Sequence, residues 1–361
     1  MSAPDGAQPD VFALTAQLVD IASESFAEQA IVDHIEAELS LLEHLEVTRV
    51  GDNLVARTNF GRSQRVVLAG HTDTVPINGN FPGRVEGDTL HGVGSADMKG
   101  GLAVMLASAR RHTSPRFDLT YVFYAREEVA AVHNGLIELF DACPELLEGD
   151  VALLGEPTDA MIEAGCQGSL RMVLTLRGAR AHTARAWMGR NAIHRAAPVL
   201  AMLGAYEARQ PVISGCHFHE ALLAVAIDGG VSGNVVPDVV SITIAHRFAP
   251  DRTAAQAEAH VRELVVPFMD DGDELVVVDV ANAAAPAVEH PLIAELIERN
   301  QLAVTAKLGW TDVARFTERG IPAVNFGPGD PTIAHTAGEH VHRDSVERTW
   351  TALDDLVTSA D

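Results

Sequence analysis

Cysteine is scarce: Cys143, Cys166 and Cys216 are the only three in 361 residues. A small, odd and scattered set builds neither a disulfide framework nor a zinc knuckle, and it suits a reducing compartment. Positive charge is scarce too. Lys+Arg number 26 against 50 Asp+Glu, a formal net charge of −24. That field repels DNA, RNA and anionic lipid, which argues against a nucleic-acid or membrane-surface role. It also means that an anionic substrate needs a local source of positive charge. No apolar run approaches the roughly 18 residues of a membrane span. The opening Met-Ser-Ala-Pro-Asp-Gly lacks the basic and apolar regions of a secretory signal. The expectation is a soluble cytoplasmic protein. No Gly-x-Ser-x-Gly elbow occurs and no cysteine has an evident activating partner, so nucleophilic catalysis has little support. Gly92-x-Gly94 is only half of a dinucleotide fingerprint.

What is present is globular: 47% hydrophobic and 21% charged residues. The length suits two domains. Residues 1–10 read as a loose polar tail. Apolar spacing predicts helices at 11–22 and 28–42, then a strand pair at 47–57 turning at Gly51-Asp52-Asn53. Short apolar runs at 66–70, 119–124 and 151–154 read as buried parallel strands, with a helix at 101–111. From 170 the order changes to strand 170–177, helix 191–209, strands 222–230 and 239–248, helix 253–269 and strand 274–280. That β-α-β-β-α-β series is the ferredoxin-like unit. After Pro291 the first style returns, with a helix to Asn300, a strand at 323–326 and a final helix from Ser345. The expected fold is therefore a three-layer α/β/α domain, residues 1–169 and 283–361, interrupted by a ferredoxin-like α+β domain at 170–282.

Buried strands that run into acidic or imidazole residues recur here. The first ends in Gly70-His71-Thr72-Asp73. A strand-end His is often only a satisfied polar group, but Asp73 lies on its face of an extended chain and could orient the ring for a metal. In Gly94-Ser95-Ala96-Asp97-Met98-Lys99-Gly100-Gly101 the plain reading is a capped helix start. The chemical one is a carboxylate with two oxygens to bridge two cations. Glu127-Glu128, after Tyr124, would be costly to bury side by side without cations. Their convergence requires the chain to bend. Glu156, after Leu153-Leu154-Gly155, reads by itself as an ordinary strand exit. Among His335, His340 and His342 spacing does not choose. His335 is favoured because it follows the Gly327-Pro328-Gly329-Asp330 loop directly, and the other two read as solvent-facing. Together His71, Asp97, Glu128, Glu156 and His335 offer two imidazoles and three carboxylates, a set suited to two borderline divalent cations, zinc foremost. Glu127 is left over as the natural general base.

With these motifs assembled, the chain resembles the M20 group of co-catalytic metallo-amidohydrolases and peptidases. The motifs are Gly70-His71-Thr72-Asp73-Thr74-Val75-Pro76, Asp97-Met98-Lys99-Gly100-Gly101, Glu127-Glu128 and Glu156-Pro157-Thr158. The resemblance implies two Zn2+ per subunit, with Co2+ or Mn2+ as possible substitutes. His71 and Glu156 would hold one ion and Glu128 and His335 the other, with Asp97 between them and followed by a cis peptide. Asp73 would orient His71, and Glu127 would act as base. In the inserted domain, which the resemblance makes a dimerisation and lid domain, Ala181-His182-Thr183-Ala184 is similar to the segment whose His reaches the partner's active site in a homodimer. Ser169, Asn234, Arg247 and Thr311 would contact a small anionic substrate, Arg247 through a carboxylate. The segments 163–168, 307–316 and 325–331 are similar to an actinobacterial branch that removes a succinyl group from a diamino acid. Another deacylase or small peptidase of the group is the alternative. Cys166 and Pro331 stand where proteobacterial members of that branch carry arginine and asparagine.

Overall fold

The computed structural model describes residues 8–358. The chain forms two compact units. One takes in the described residues up to Ala164 with Ala287–Thr305 and those from Arg315 onward; the other is Gly165–Pro286 with Ala306–Ala314. These extents differ from the sequence-based spans at 165–169, 283–286 and 306–314. Of the tail expected at 1–10, residues 1–7 lie outside the described residues. Asp10 is not loose: its Oδ1 accepts the Ala13 N–H at 2.9 Å and caps the first helix, Val11–Val19.

The larger unit is built on an eight-stranded mixed sheet. Its order is Glu46–Val50, Asn53–Arg57, Asp118–Tyr124, Arg65–His71, Val151–Leu154, Ala323–Asn325, Ile162–Ala164 and Val304–Ala306. The middle four strands run parallel. Almost every residue in them is buried, so both faces are covered, which is why they read as continuous apolar runs. The first two strands form the expected hairpin, Val50 opposite Asn53, with Gly51 in the left-handed region at φ 60°. The helices Val11–Val19, Gly100–Arg111 and Arg343–Thr358 pack on one another, and Pro291–Asn300 joins the last.

One close approach sets the site. A Cβ on Gly101 would lie 2.1 Å from the Gly155 carbonyl oxygen. Only glycine lets the start of the Gly100–Arg111 helix settle directly on the exit of the Val151–Leu154 strand. Asp97, just before that helix, is thereby brought to Glu156, just after that strand. The carboxyl ends of adjacent parallel strands converge at this point, as sites in open α/β sheets do.

In the second unit the four-stranded sheet is wholly antiparallel, in the order Ala221–Gly229, Val239–Phe248, Gly168–Arg177, Glu274–Ala281. Leu170, Met172, Leu174 and Leu176 alternate inward and pack with Val199 of helix Ala192–Gly204 and Val261 of helix Ala254–Val265. Thr253 and Gln256 form a reciprocal capping box at the start of the second helix. The helix expected to reach 209 stops at Gly204. Beyond it Tyr206 turns its hydroxyl to Nε2 of His260, 2.8 Å away.

Candidate metal centre

His71 closes its strand fully buried. Its Nδ1 lies 3.0 Å from the backbone carbonyl of Asp73 and 3.5 Å from Oδ1 of the same residue. A carbonyl oxygen only accepts, so Nδ1 carries the proton and Nε2 presents its lone pair. That Nε2 faces Asp97 Oδ1 at 3.1 Å. Lone pair against carboxylate is repulsive unless a proton or a metal ion sits between them. The donor set therefore fits a cation, and the ring is held in the tautomer that metal ligation requires. Burial opposes a charged His71, but the bonds to Asp73 and Asp97 and the charges of Glu156 and Asp97 outweigh it, raising its pKa. The expected orientation by Asp73 takes an unexpected form, since the nearer contact is its carbonyl.

The Asp73 carboxylate has further work. Its Oδ1 accepts the N–H of Glu127 at 3.0 Å and its Oδ2 that of Glu128 at 3.1 Å, and the Ser25 hydroxyl donates to Oδ2 at 2.7 Å. Arg126 stands at φ 62° in the left-handed region, supplying the bend that two adjacent glutamates need to converge. Burial works against ionised Asp73, yet His71, Ser25 and the Glu127 N–H together lower its pKa.

Asp97 is two-sided. While Oδ1 faces His71, Oδ2 lies 3.4 Å from Nε2 of His335, which also meets Glu128 Oε1 at 2.8 Å. Those bonds to Asp97 and Glu128 push His335 up to about 10. Burial opposes ionised Asp97, but His335 and His71 hold its carboxyl well below the usual range. The Asp97-Met98 peptide is cis. Ligand atoms of His71, Asp97 and Glu156 lie within 4.8 Å of one another, and so do those of Asp97, Glu128 and His335; His71, Glu127 and Glu128 form a third such group. All five expected ligands thus meet around one shared aspartate, with Glu127 at the edge of the same cluster.

Two groups here carried no recognised signal in the sequence. Glu339 is buried, and its Oε1 accepts the N–H of both Ala96 and Asp97 at 3.1 Å. Burial raises its pKa to about 7. Lys99, inside a quoted motif but given no role, is buried with its Nζ donating to the Ile21 carbonyl at 2.6 Å. Burial lowers it to about 7, against the pull of Glu339 and Asp20.

The remaining expected residues belong to the second unit. Ser169 and the exposed Arg247 are direct cross-strand partners, so their side chains share a face. Thr311 is buried, and the Cys166 thiol donates to its carbonyl at 3.7 Å. Cys166 is itself fully buried and pushed up to about 11, so it is a neutral packing group. His182 is exposed, and its Nδ1 accepts the Ala184 N–H at 3.0 Å. The neutral ring therefore carries its proton on Nε2. Asn234 sits beside it, its carbonyl accepting the Thr183 N–H at 3.0 Å.

Fold and site define an α/β protein with a candidate two-cation centre at the carboxyl ends of the parallel strands of a mixed sheet. The chain belongs to peptidase family M20/M25/M40, whose model matches residues 67–359. It is 50% identical over 335 residues to the DapE chain of Mycobacterium tuberculosis, covering 92% of this chain and 93% of that one. It is 46% identical over 336 residues, 91% of each chain, to the succinyl-diaminopimelate desuccinylase of Corynebacterium glutamicum. In fold it is similar to a tripeptidase from Staphylococcus aureus, with a TM-score of 0.79 at 20% identity over 97% of this chain and 98% of that one. Among the described residues no helix is long and apolar enough to cross a membrane.

Proposed function

We propose that this chain hydrolyses N-succinyl-LL-2,6-diaminopimelate to succinate and LL-2,6-diaminopimelate, the activity of a succinyl-diaminopimelate desuccinylase in lysine and diaminopimelate biosynthesis. The observation that carries the substrate is the 46% identity to the C. glutamicum enzyme across nine-tenths of both chains. The chemistry rests on the cluster around Asp97.

Two divalent cations, zinc foremost with Co2+ or Mn2+ as substitutes, would be held by His71 and Glu156, by Glu128 and His335, and by Asp97 between them; when bound they polarise the amide carbonyl and make water more acidic. Glu127 takes the proton of the attacking water on its carboxylate and returns it to the nitrogen of the leaving amine. Asp73 keeps Glu127 in place through the backbone N–H it accepts. His182 donates from Nε2 to the developing oxyanion, which its tautomer supports. Arg247 binds a substrate carboxylate, and Ser169, Asn234 and Thr311 add polar contacts. Arg247 and the cations supply locally the attraction that a net charge of −24 withholds globally.

His182 acts across a homodimer formed through the inserted domain. Strand Ala221–Gly229 supports this. It is a sheet edge, and it leaves Leu223, Val225 and Ile227 about half exposed. The three cysteines are free and buried, which suits the cytoplasm. The test is a substrate panel on the zinc-loaded protein. N-succinyl-LL-2,6-diaminopimelate should exceed N-acetylornithine and N-acyl amino acids in kcat/KM by about a hundredfold or more, the upper end of what one buried polar group left unpaired costs. Equal or better turnover of N-acetylornithine assigns the chain to another deacylase of the family.

A further inference from the structure

Phe26 follows Ser25, whose hydroxyl meets Oδ2 of Asp73, the oxygen that also accepts the Glu128 N–H. The segment is pinned along the first metal motif. Ser25 donates its N–H to the Thr74 carbonyl at 3.1 Å, and Thr74 donates its own to the Ser23 carbonyl at 2.9 Å. Glu24 Oε1 accepts the Ile77 N–H at 2.7 Å. The chain then turns back, with the Ala27 N–H bonded to the Glu24 carbonyl at 2.8 Å. Phe26 occupies the third position of that turn, at φ 73°. A turn with a left-handed residue in that position ordinarily carries glycine or asparagine there. A bulky side chain in this region is an outlier.

The strain is imposed by the surroundings and is not offset by burial. Glu28 is buried, and its Oε1 accepts the Phe26 N–H at 2.9 Å, fixing the turn from its other side. Phe26 itself is 61% exposed. Its ring meets that of His133 edge-on, with centroids 5.2 Å apart and planes at 78°. His133 is exposed too, and it closes the short helix Ala131–His133 on the stretch that leaves Glu127 and Glu128. Glycine in place of Phe26 would remove both the strain and the exposed apolar surface. An exposed phenylalanine held in a left-handed turn therefore costs stability twice and fills no core. Strain kept in this way points to a contact with something outside the fold. The place of that contact follows from Asp73. Its carboxylate holds Ser25 on one segment and Glu127 and Glu128 on the other. The Phe26–His133 pair joins the same two segments and so borders the Glu127–Glu128 side of the metal centre.

We propose that Phe26, backed by His133, is a specificity-determining residue at the rim of the metal centre: its ring packs on the aliphatic chain of the amino acid whose N-acyl bond is cleaved. The inference rests on the proposed hydrolysis of an N-acylated diamino acid, whose methylene chain separates charged ends. The ring covers that chain with apolar surface and leaves the charged ends to the polar contacts. Such a contact is made alike before and during the reaction, so it lowers KM and leaves kcat in place.

The test is steady-state kinetics of the full, zinc-loaded chain and its Phe26→Ala, Phe26→Gly and Phe26→Leu variants. The substrates are N-succinyl-LL-2,6-diaminopimelate and N-succinylglycine, which lacks the chain; if another N-acyl amino acid is the better substrate, it is compared with the matching N-acylglycine. On the longer substrate Phe26→Ala and Phe26→Gly should each raise KM by about tenfold, the scale of half an aromatic side chain left in water. Their kcat should stay within about threefold of wild type. Phe26→Leu keeps apolar area and should recover most of the loss. On the glycine substrate the loss in kcat/KM should shrink to about threefold or less, since no chain remains for the ring to cover. Phe26→Gly should also unfold at a higher urea concentration than Phe26→Ala, because alanine keeps the strain and glycine removes it. An unaltered KM in both small variants overturns the proposal, as does an equal loss on both substrates, which a purely structural turn would give. Recovery by Phe26→Gly of what Phe26→Ala loses overturns it too, since the backbone and not the ring would then matter. A wild type that hydrolyses no N-acyl amino acid overturns the proposed function and this contact with it, whereas an error about Phe26 alone shows only in the variants beside an active wild type.

Discussion

The carboxylate of Glu339 accepts the backbone N–H of Asp97 at 3.1 Å, and that of Ala96 at the same distance through the same oxygen. Asp97 is the one residue common to both cation groups, so a bond that fixes its backbone fixes both faces of the centre. Glu339→Ala leaves two buried N–H groups unsatisfied and should weaken metal binding by about 10- to 100-fold, as lost supporting contacts do. Glu339→Gln keeps an acceptor oxygen and should lose less. Metal content by atomic emission, alongside turnover, checks this. Wild-type values for the alanine variant would show that Glu339 only fills space.

Glu127→Gln should retain the metals and lose turnover by about 10²- to 10⁴-fold, the usual worth of a positioned general base. Its backbone bond to Asp73 is unaffected by the change, so the fold around it should persist. Turnover within tenfold of wild type would remove Glu127 from the proton-transfer role.

His182→Ala should cost about 10²- to 10³-fold in turnover with metal content intact. The sharper experiment mixes two inactive chains. If His182 serves the partner's site, a hybrid of Glu127→Gln and His182→Ala chains contains one complete site, and activity reappears on mixing. A mixture as inactive as its parts would place His182 in its own chain's site or in none.

In the second unit the Asp273 side chain is shielded from solvent and receives both Arg195 nitrogens, at 2.8 and 2.6 Å, with the N–H groups of Arg177 and Asp270 at 2.7 Å. Burial opposes its charge, but these bonds outweigh it and bring the pKa to about 2, below the unperturbed 3.8. A folded value below the unfolded one means that the contribution is full above a pH of about 4 and is lost as pH falls toward about 2. Asp273→Ala should destabilise the protein by roughly 2 kcal/mol at neutral pH, the scale of lost hydrogen bonds to a charged group, since Arg195 keeps Asp270 at 2.8 Å and the Arg177 carbonyl at 2.6 Å. The gap from wild type should narrow in acid. Urea unfolding at several pH values measures both effects, and a pH-independent gap would contradict the ion-pair account.

The order of buried strands and the acidic or imidazole residues at their ends was legible because parallel strands covered on both faces leave continuous apolar runs, and a charge at the end of such a run stands out. His71 and Glu128 announced themselves in this way; Glu156 by itself reads as an ordinary strand exit, and His335 is favoured over His340 and His342 only because it follows the Gly327-Pro328-Gly329-Asp330 loop. The convergence of Glu127 and Glu128 was not legible, since it depends on Arg126 adopting a left-handed backbone that non-glycine residues rarely take. Glu339 was hidden because it acts on backbone N–H groups, which carry no residue identity. His340 and His342 are solvent-facing, as read, but their pairing with a three-residue strand was hidden because so short a strand shows no period. Asp10 reads as tail because its capping role depends on where the first helix starts.

The central claim is that the cluster around Asp97 holds two metal ions that this chain uses to hydrolyse a succinylated diamino acid. The most direct measurement is succinate release from N-succinyl-LL-2,6-diaminopimelate by one preparation as purified, after chelation, and after zinc is returned, with bound metal counted at each stage. The account predicts two zinc ions per chain, turnover abolished by chelation and restored with the metal. Undiminished turnover in the metal-free protein, or fully loaded protein that releases no succinate, would contradict it.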